Sequence, residues 1–192
     1  MRAIQSTLLF LALASAAQAK PLRYAEDRSP AIVHPAFATS MSEARVNELV
    51  FESLYTDDQE LQSTPQLAAG LELAEDRRSA VVNLRPGVTW HDGQPFSAED
   101  VVFTIEAMQD RTTASPEAGR VAWIATAQAV DDLTVKLTFD NEEYAPQDKL
   151  HFKILPSHAF EGTSLKRSDR FRNDPVGTGP FLLEEFIPKK HL

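Results

Sequence analysis

No cysteine occurs in the chain, which excludes a disulfide framework, a thiolate partner for a metal, and a lipid-modified cysteine behind a leader. No apolar run approaches the roughly 20 residues of a membrane-spanning helix. Basic residues are the minority charge, 19 Lys and Arg against 28 Asp and Glu for a net charge of −9, which argues against nucleic acid or anionic lipid as a partner, since both are gripped through basic contacts. Repeats, low-complexity tracts and heptads are missing. So are a G-x-S-x-G elbow, an H-E-x-x-H pair and the lysine of a phosphate loop. Gly177-Thr178-Gly179 lies between Pro175 and Pro180 instead of opening a helix, and its glycines are expected to supply positive φ in a turn. The five histidines, His34, His91, His151, His158 and His191, lack metal-ligand spacing, and His91 beside Asp92 is expected to cap backbone groups. Neither catalysis nor a bound metal or cofactor is expected.

What is present begins with a leader. Arg2 supplies a positive start, Leu8 to Ala14 an apolar stretch, and Ala17-Gln18-Ala19 a small-x-small cleavage site before Lys20, so residues 1–19 read as a cleavable secretory signal. With no lipid-acceptor cysteine, a soluble periplasmic protein is expected. The 192 residues suffice for one core at roughly 100 to 200 residues per domain.

Leu22 to Ala25 reads as a short strand, followed by a Pro- and Ser-containing loop to residue 40. Ser40 and Glu43 then stand as N-cap and N3 of a helix whose Val46, Leu49, Val50 and Leu54 are spaced for one buried stripe. Thr56 to Arg78 is polar and loop-rich. Ala80, Val82 and Leu84 alternate as one strand face, Pro86-Gly87 breaks it, and Val88 and Trp90 resume it before the turn at His91-Asp92-Gly93. Ser97 and Asp100 form a second capping pair, opening a helix that buries Val101, Ile105 and Met108. Gln109 to Arg120 is a loop. Ile124 to Val130 and Leu133 to Phe139 pair as a hairpin across Asp131-Asp132, with Leu133, Val135, Leu137 and Phe139 on the buried face. An irregular stretch to Pro156, a helix or loop over Ser157 to Phe171, and a strand at Phe181-Leu182-Leu183 complete the reading.

The run LRPGVTWHDGQPFSAEDVVFTIEAM (Leu84 to Met108) closely resembles the signature of the family 5 extracellular solute-binding proteins, the peptide, oligopeptide and nickel receptors of ABC importers. The resemblance continues in order through Leu22-Arg23-Tyr24, HPAFATSMSEARVNELVFESLYT (His34 to Thr56), VDDLTVKLTF (Val130 to Phe139), Ile154-Leu155-Pro156 and DPVGTGPFLLEEF (Asp174 to Phe186).

That resemblance implies an α/β (mixed α+β) fold of the periplasmic binding protein-like type II class. It implies part of a first lobe at 20–51 and 157–192 with an inserted α+β subdomain at 52–156. The family's two-lobed architecture makes the chain an expected N-terminal portion. In peptide-binding relatives the stretch matching Thr39, Ser40 and Met41 lines the cleft and touches the ligand backbone. From the residues alone, Ser40 merely caps its helix, or the free N–H groups of that helix start receive a polar ligand. Thr113-Ala114-Ser115-Pro116 matches an oligopeptide receptor's loop, in which some members place a tyrosine where this chain has Glu117. Glu117 either suits a cationic ligand or faces water. The implied function is solute capture for an inner-membrane ABC permease by a monomer. The ligand is a peptide or peptide-like solute; alternatives are a nickel chelate, an opine or another non-peptide solute, or an exported enzyme, chaperone or nonfunctional remnant on the same scaffold.

Overall fold

The computed structural model describes residues 28–160, 165, 168, 171 and 174–187. The leader, the strand expected at 22–25 and His191 lie outside them.

Helix α1 (Met41–Val50) starts where local chemistry dictates. Ser40 is extended, its Oγ accepts the Glu43 N–H at 3.3 Å, and the Glu43 carboxylate returns to the Ser40 N–H at 3.0 Å. Val46 and Val50 turn inward, but the expected stripe stops there. Phe51 turns extended (φ −121, ψ 146). Leu54 is therefore buried from the following segment, and Leu49 is left 47% exposed. The helix has no glycine cap. Its last carbonyls are satisfied from far along the chain, Val50 O by the Gly179 N–H at 2.9 Å and Leu49 O by the Phe181 N–H at 3.2 Å.

Next, β1 (Tyr55–Asp57) pairs antiparallel with β2 (Ser63–Pro65), and β3 (Ala68–Leu73) with β4 (Ser79–Leu84). The region 56–78 is thus more ordered than its polar composition suggests. Ala-Ala-Gly-Leu-Glu-Leu has low strand propensity, and its pairing with β4 overrides this. β4 buries Ala80, Val82 and Leu84 as alternation requires. The Val88 to Phe96 segment forms one bridge, Thr89 with Pro95, instead of a renewed strand, because Gly87 (φ +74) and Gly93 (φ +86) turn the chain sharply.

Helix α2 (Ala98–Gln109) buries Val101, Ile105 and Met108 against β5 (Ile124–Asp131) and β6 (Thr134–Phe139). The four-stranded sheet runs β3-β4-β6-β5, antiparallel throughout. Asp131 pairs with Thr134, so the hairpin turns at Asp132-Leu133, one residue later than expected, with the Leu133 N–H held by Asp131 Oδ1 at 2.8 Å. Val135, Leu137 and Phe139 fill the sheet's inner face. Each such side chain contributes roughly 1.5 to 3 kcal/mol by leaving water.

Asp100 at N3 of α2 is 2% exposed and does more than cap. Its Oδ2 accepts the Ser97 N–H at 3.0 Å and the Trp90 indole N–H at 3.1 Å, and its Oδ1 accepts the Ser157 N–H and hydroxyl, both at 2.8 Å. One carboxylate joins the helix start, the signature turn and the start of the short 3-10 helix Ser157–Phe160.

His91 holds the loop near residue 178. It donates its backbone N–H to Gly177 O at 2.9 Å, its Nδ1 accepts the Gly177 N–H at 3.3 Å, and its Nε2 therefore donates to Gly179 O at 2.8 Å. Gly177 and Gly179 lie outside the positive-φ set, contrary to the expectation for a turn. They are needed for closeness: a Cβ on Gly177 would sit 1.9 Å from Val50 O, and one on Gly179 2.6 Å from Leu49 O. Phe181 to Leu183 is likewise not a strand, and Phe181 and Leu182 are largely exposed.

Candidate functional site

The site is assembled from three stretches that the fold brings to one end of α1. The first is the approach to the helix. Glu43 is 3% exposed and gathers this approach. Its Oε1 accepts the Ala31 N–H at 3.1 Å, while Oε2 accepts the Thr39 N–H at 2.7 Å, the Thr39 hydroxyl at 3.3 Å and the Ser40 N–H at 3.0 Å. Burial pushes this carboxyl upward, but the bonds from Thr39, Ala31 and Ser40 outweigh it and hold its pKa below the ordinary 4.5. A depressed folded-state pKa supplies stability that is present above the unfolded value and lost as pH falls through the folded one. Urea unfolding at stepped pH is therefore expected to show a loss below about pH 4.5. Glu43→Gln is expected to flatten that slope while lowering stability at neutral pH.

The second stretch is the loop after α2. Asp110 shapes it, accepting the Thr112 N–H at 2.8 Å and the Thr112 hydroxyl at 2.6 Å, and Ala114 takes φ +45. Ser115 then ties it to the first stretch: its hydroxyl donates to Ala36 O at 2.5 Å and accepts the Glu117 N–H at 3.1 Å. The third stretch is 151–153, bridged to Ser53 through Lys153. Ser53 Oγ donates to His151 O at 3.1 Å, and His151 Nε2 bonds Ser63 Oγ at 2.9 Å.

Between these stretches opens a cleft of about 310 Å³, lined by Thr39, Ser40, Met41 and Glu117 among others. The four residues expected to contact a ligand thus line one cleft. Ser40 also fulfils its local task as a cap, so the helix start is occupied as well as placed. Thr39 gives its N–H and hydroxyl to Glu43. Met41 is 68% exposed, an apolar side chain held open at the first helical position. Glu117 lines the cleft, its side chain 23% exposed, and pairs with Arg120 three residues on.

Residue-by-residue reasoning misses the rest of the lining, notably Asn47, Glu48, Arg120, His151 and Lys153. Lys153 Nζ meets Glu48 at 2.5 Å across 105 residues of sequence, which no local pattern signals. Asn47 could be found as a polar residue inside the apolar stripe of α1. Among the described residues, no group of three or more His, Cys, Asp or Glu is arranged to hold a metal, and no helix is long and apolar enough to cross a membrane. His91 holds the backbone at 177–179, as expected, and His158 bonds Asp92 at 2.8 Å.

The described geometry is that of a type II periplasmic binding protein. NikZ from Campylobacter jejuni, solved in complex with Ni(L-His), is 30% identical with a TM-score of 0.74 over 82% of this chain and 31% of its own. MoaA from A. tumefaciens R10, in complex with mannopinic acid, is 27% identical with a TM-score of 0.73 over 84% of this chain and 34% of its own. The dipeptide-binding protein of Escherichia coli is 26% identical over 94% of this chain and 38% of its own. The profile of the bacterial extracellular solute-binding proteins, family 5 Middle, matches residues 62–192. The chain belongs to the bacterial extracellular solute-binding proteins of family 5. It spans between about a third and two fifths of the length of these relatives.

Proposed function

We propose that this chain forms one wall of the cleft of a periplasmic receptor that captures a peptide or peptide-like solute and presents it to an inner-membrane permease. The observation that carries this reading is the convergence of Thr39, Ser40, Met41 and Glu117, from two distant stretches, on a single cleft. Export follows from the leader at 1–19. Residues 20–51 and 157–192 act as part of one lobe and 52–156 as its inserted subdomain. The bonds of Gly179 and Phe181 to the end of α1, and the ring contact of Phe171 with Phe51, support that grouping.

The work done is capture, not chemistry. Closure of a second lobe over the solute shifts a population between open and closed forms, and the receptor contributes shape, an apolar surface at Met41 and polar groups around it. NikZ, whose structure holds Ni(L-His), favours a second reading in which the solute is a metal chelate.

Isothermal titration of the chain with a dipeptide, the nickel–histidine complex and mannopinic acid tests these readings. One wall alone is expected to bind the dipeptide with a dissociation constant in the millimolar range, about −4 kcal/mol. Micromolar affinity would contradict the shared cleft. Binding of the nickel complex alone would favour the second reading, and heat from none of the three would sink the proposal.

A further inference from the structure

Asn47 sits in the apolar stripe of α1 between Val46 and Val50, 3% exposed, in the wall of the cleft. Its carboxamide oxygen is shielded from solvent and has no hydrogen-bond partner among the described residues. Asparagine is a poor helix interior residue, and a buried polar atom without a partner costs stability, so packing gives no reason for this residue here. The titratable side chains of the lining have partners. Glu48 is paired with Lys153, Glu117 with Arg120, and His151 with Ser63. Among the described residues, the buried side-chain atom of this lining that lacks a partner is therefore a neutral acceptor, which suits an uncharged donor better than an ammonium group.

We infer that Asn47 is a specificity-determining residue whose Oδ1 accepts the N–H of a peptide bond in the solute. This deepens the proposed function and rests on the cleft assigned there. An apolar substitution at this position has opposite effects under the two accounts of the residue. If the oxygen waits for a solute, Asn47→Leu removes an unpaired polar atom and leaves the empty protein as stable as before, or more so. If Asn47 is a structural residue satisfied by water, the same change loosens the fold.

The test combines thermal unfolding with titrations of the isotopically labelled chain, followed by two-dimensional NMR. The probes are glycylglycine and glycylsarcosine, which differ by a methyl group in place of the peptide hydrogen. Expected for the unaltered chain is about tenfold weaker binding of glycylsarcosine. Expected for Asn47→Leu is an unchanged or raised Tm, about tenfold weaker glycylglycine binding, and no remaining difference between the two dipeptides. Equal affinities in the unaltered chain, or a lowered Tm with unchanged affinities in the variant, would overturn the inference. If the signals of Thr39 to Met41 respond without any preference for the peptide hydrogen, only this inference fails. If they respond to neither dipeptide, the cleft assignment fails and takes this inference with it.

Discussion

Replacing Asp100 with alanine is expected to cost about 4 kcal/mol, a large fraction of the stability of an ordinary domain. The carboxylate is buried and accepts four hydrogen bonds, from Ser97, Trp90 and two groups of Ser157. Bonds to a charged group contribute about 1.5 to 3 kcal/mol each, though not additively, and their removal strands the buried Trp90 indole N–H and the half-buried donors of Ser97 and Ser157. Asp100→Asn is the more diagnostic change because it keeps the volume. One carboxylate oxygen becomes an NH2, which must face N–H donors on one side or the other, so a loss of about 2 kcal/mol is expected. Glu99→Gln, on the exposed side of the same turn, should stay within about 0.5 kcal/mol of the unaltered chain. Urea unfolding of the three variants checks this, and an Asp100→Ala loss below about 1 kcal/mol would reduce the residue to a simple cap.

A methyl group at position 177 is expected to have the next largest effect. In the native backbone the Cβ of Gly177→Ala would lie 1.9 Å from Val50 O, and the atom it meets is main chain, not a yielding side-chain tip. Val50 O is itself held by the Gly179 N–H at 2.9 Å, so relief requires the loop at 177–181 to withdraw from the end of α1. Overpacking of this kind costs about 3 kcal/mol, and the withdrawal also uncaps the helix carbonyls. The control is Gly119→Ala, where no atom lies within 4 Å of the added methyl. Thermal unfolding should show a large loss at 177 and almost none at 119; equal losses would mean that the loop is not seated on the helix.

Both helix starts are legible in the sequence because capping is local. A serine followed three residues later by an acid names the first turn at Ser40 and at Ser97 without reference to anything distant. The tertiary use of those acids is not legible, since Glu43 recruits Ala31 and Asp100 recruits Ser157. β4 and β6 are readable from strict alternation. β3 is hidden because its residues favour no strand by themselves and its partner supplies the reason. The end of α1 misleads for a related cause: spacing continues the stripe to Leu54, whereas the cap arrives from Gly179 and Phe181.

The site divides the same way. Thr39, Ser40 and Met41 read locally as a helix cap, and their place on a cleft wall comes from the family resemblance and the fold. Glu117 and Arg120 lie within a single turn, so their pairing is accessible to sequence reasoning, whereas Glu48 and Lys153 meet only once α1 and the 151–153 segment are packed together.

A crystal structure of the chain grown with a millimolar dipeptide measures the central proposal most directly. The dipeptide should lie in the cleft with atoms within about 4 Å of Thr39, Ser40, Met41 and Glu117. A dipeptide ordered elsewhere on the surface, with this cleft filled only by solvent, would contradict it.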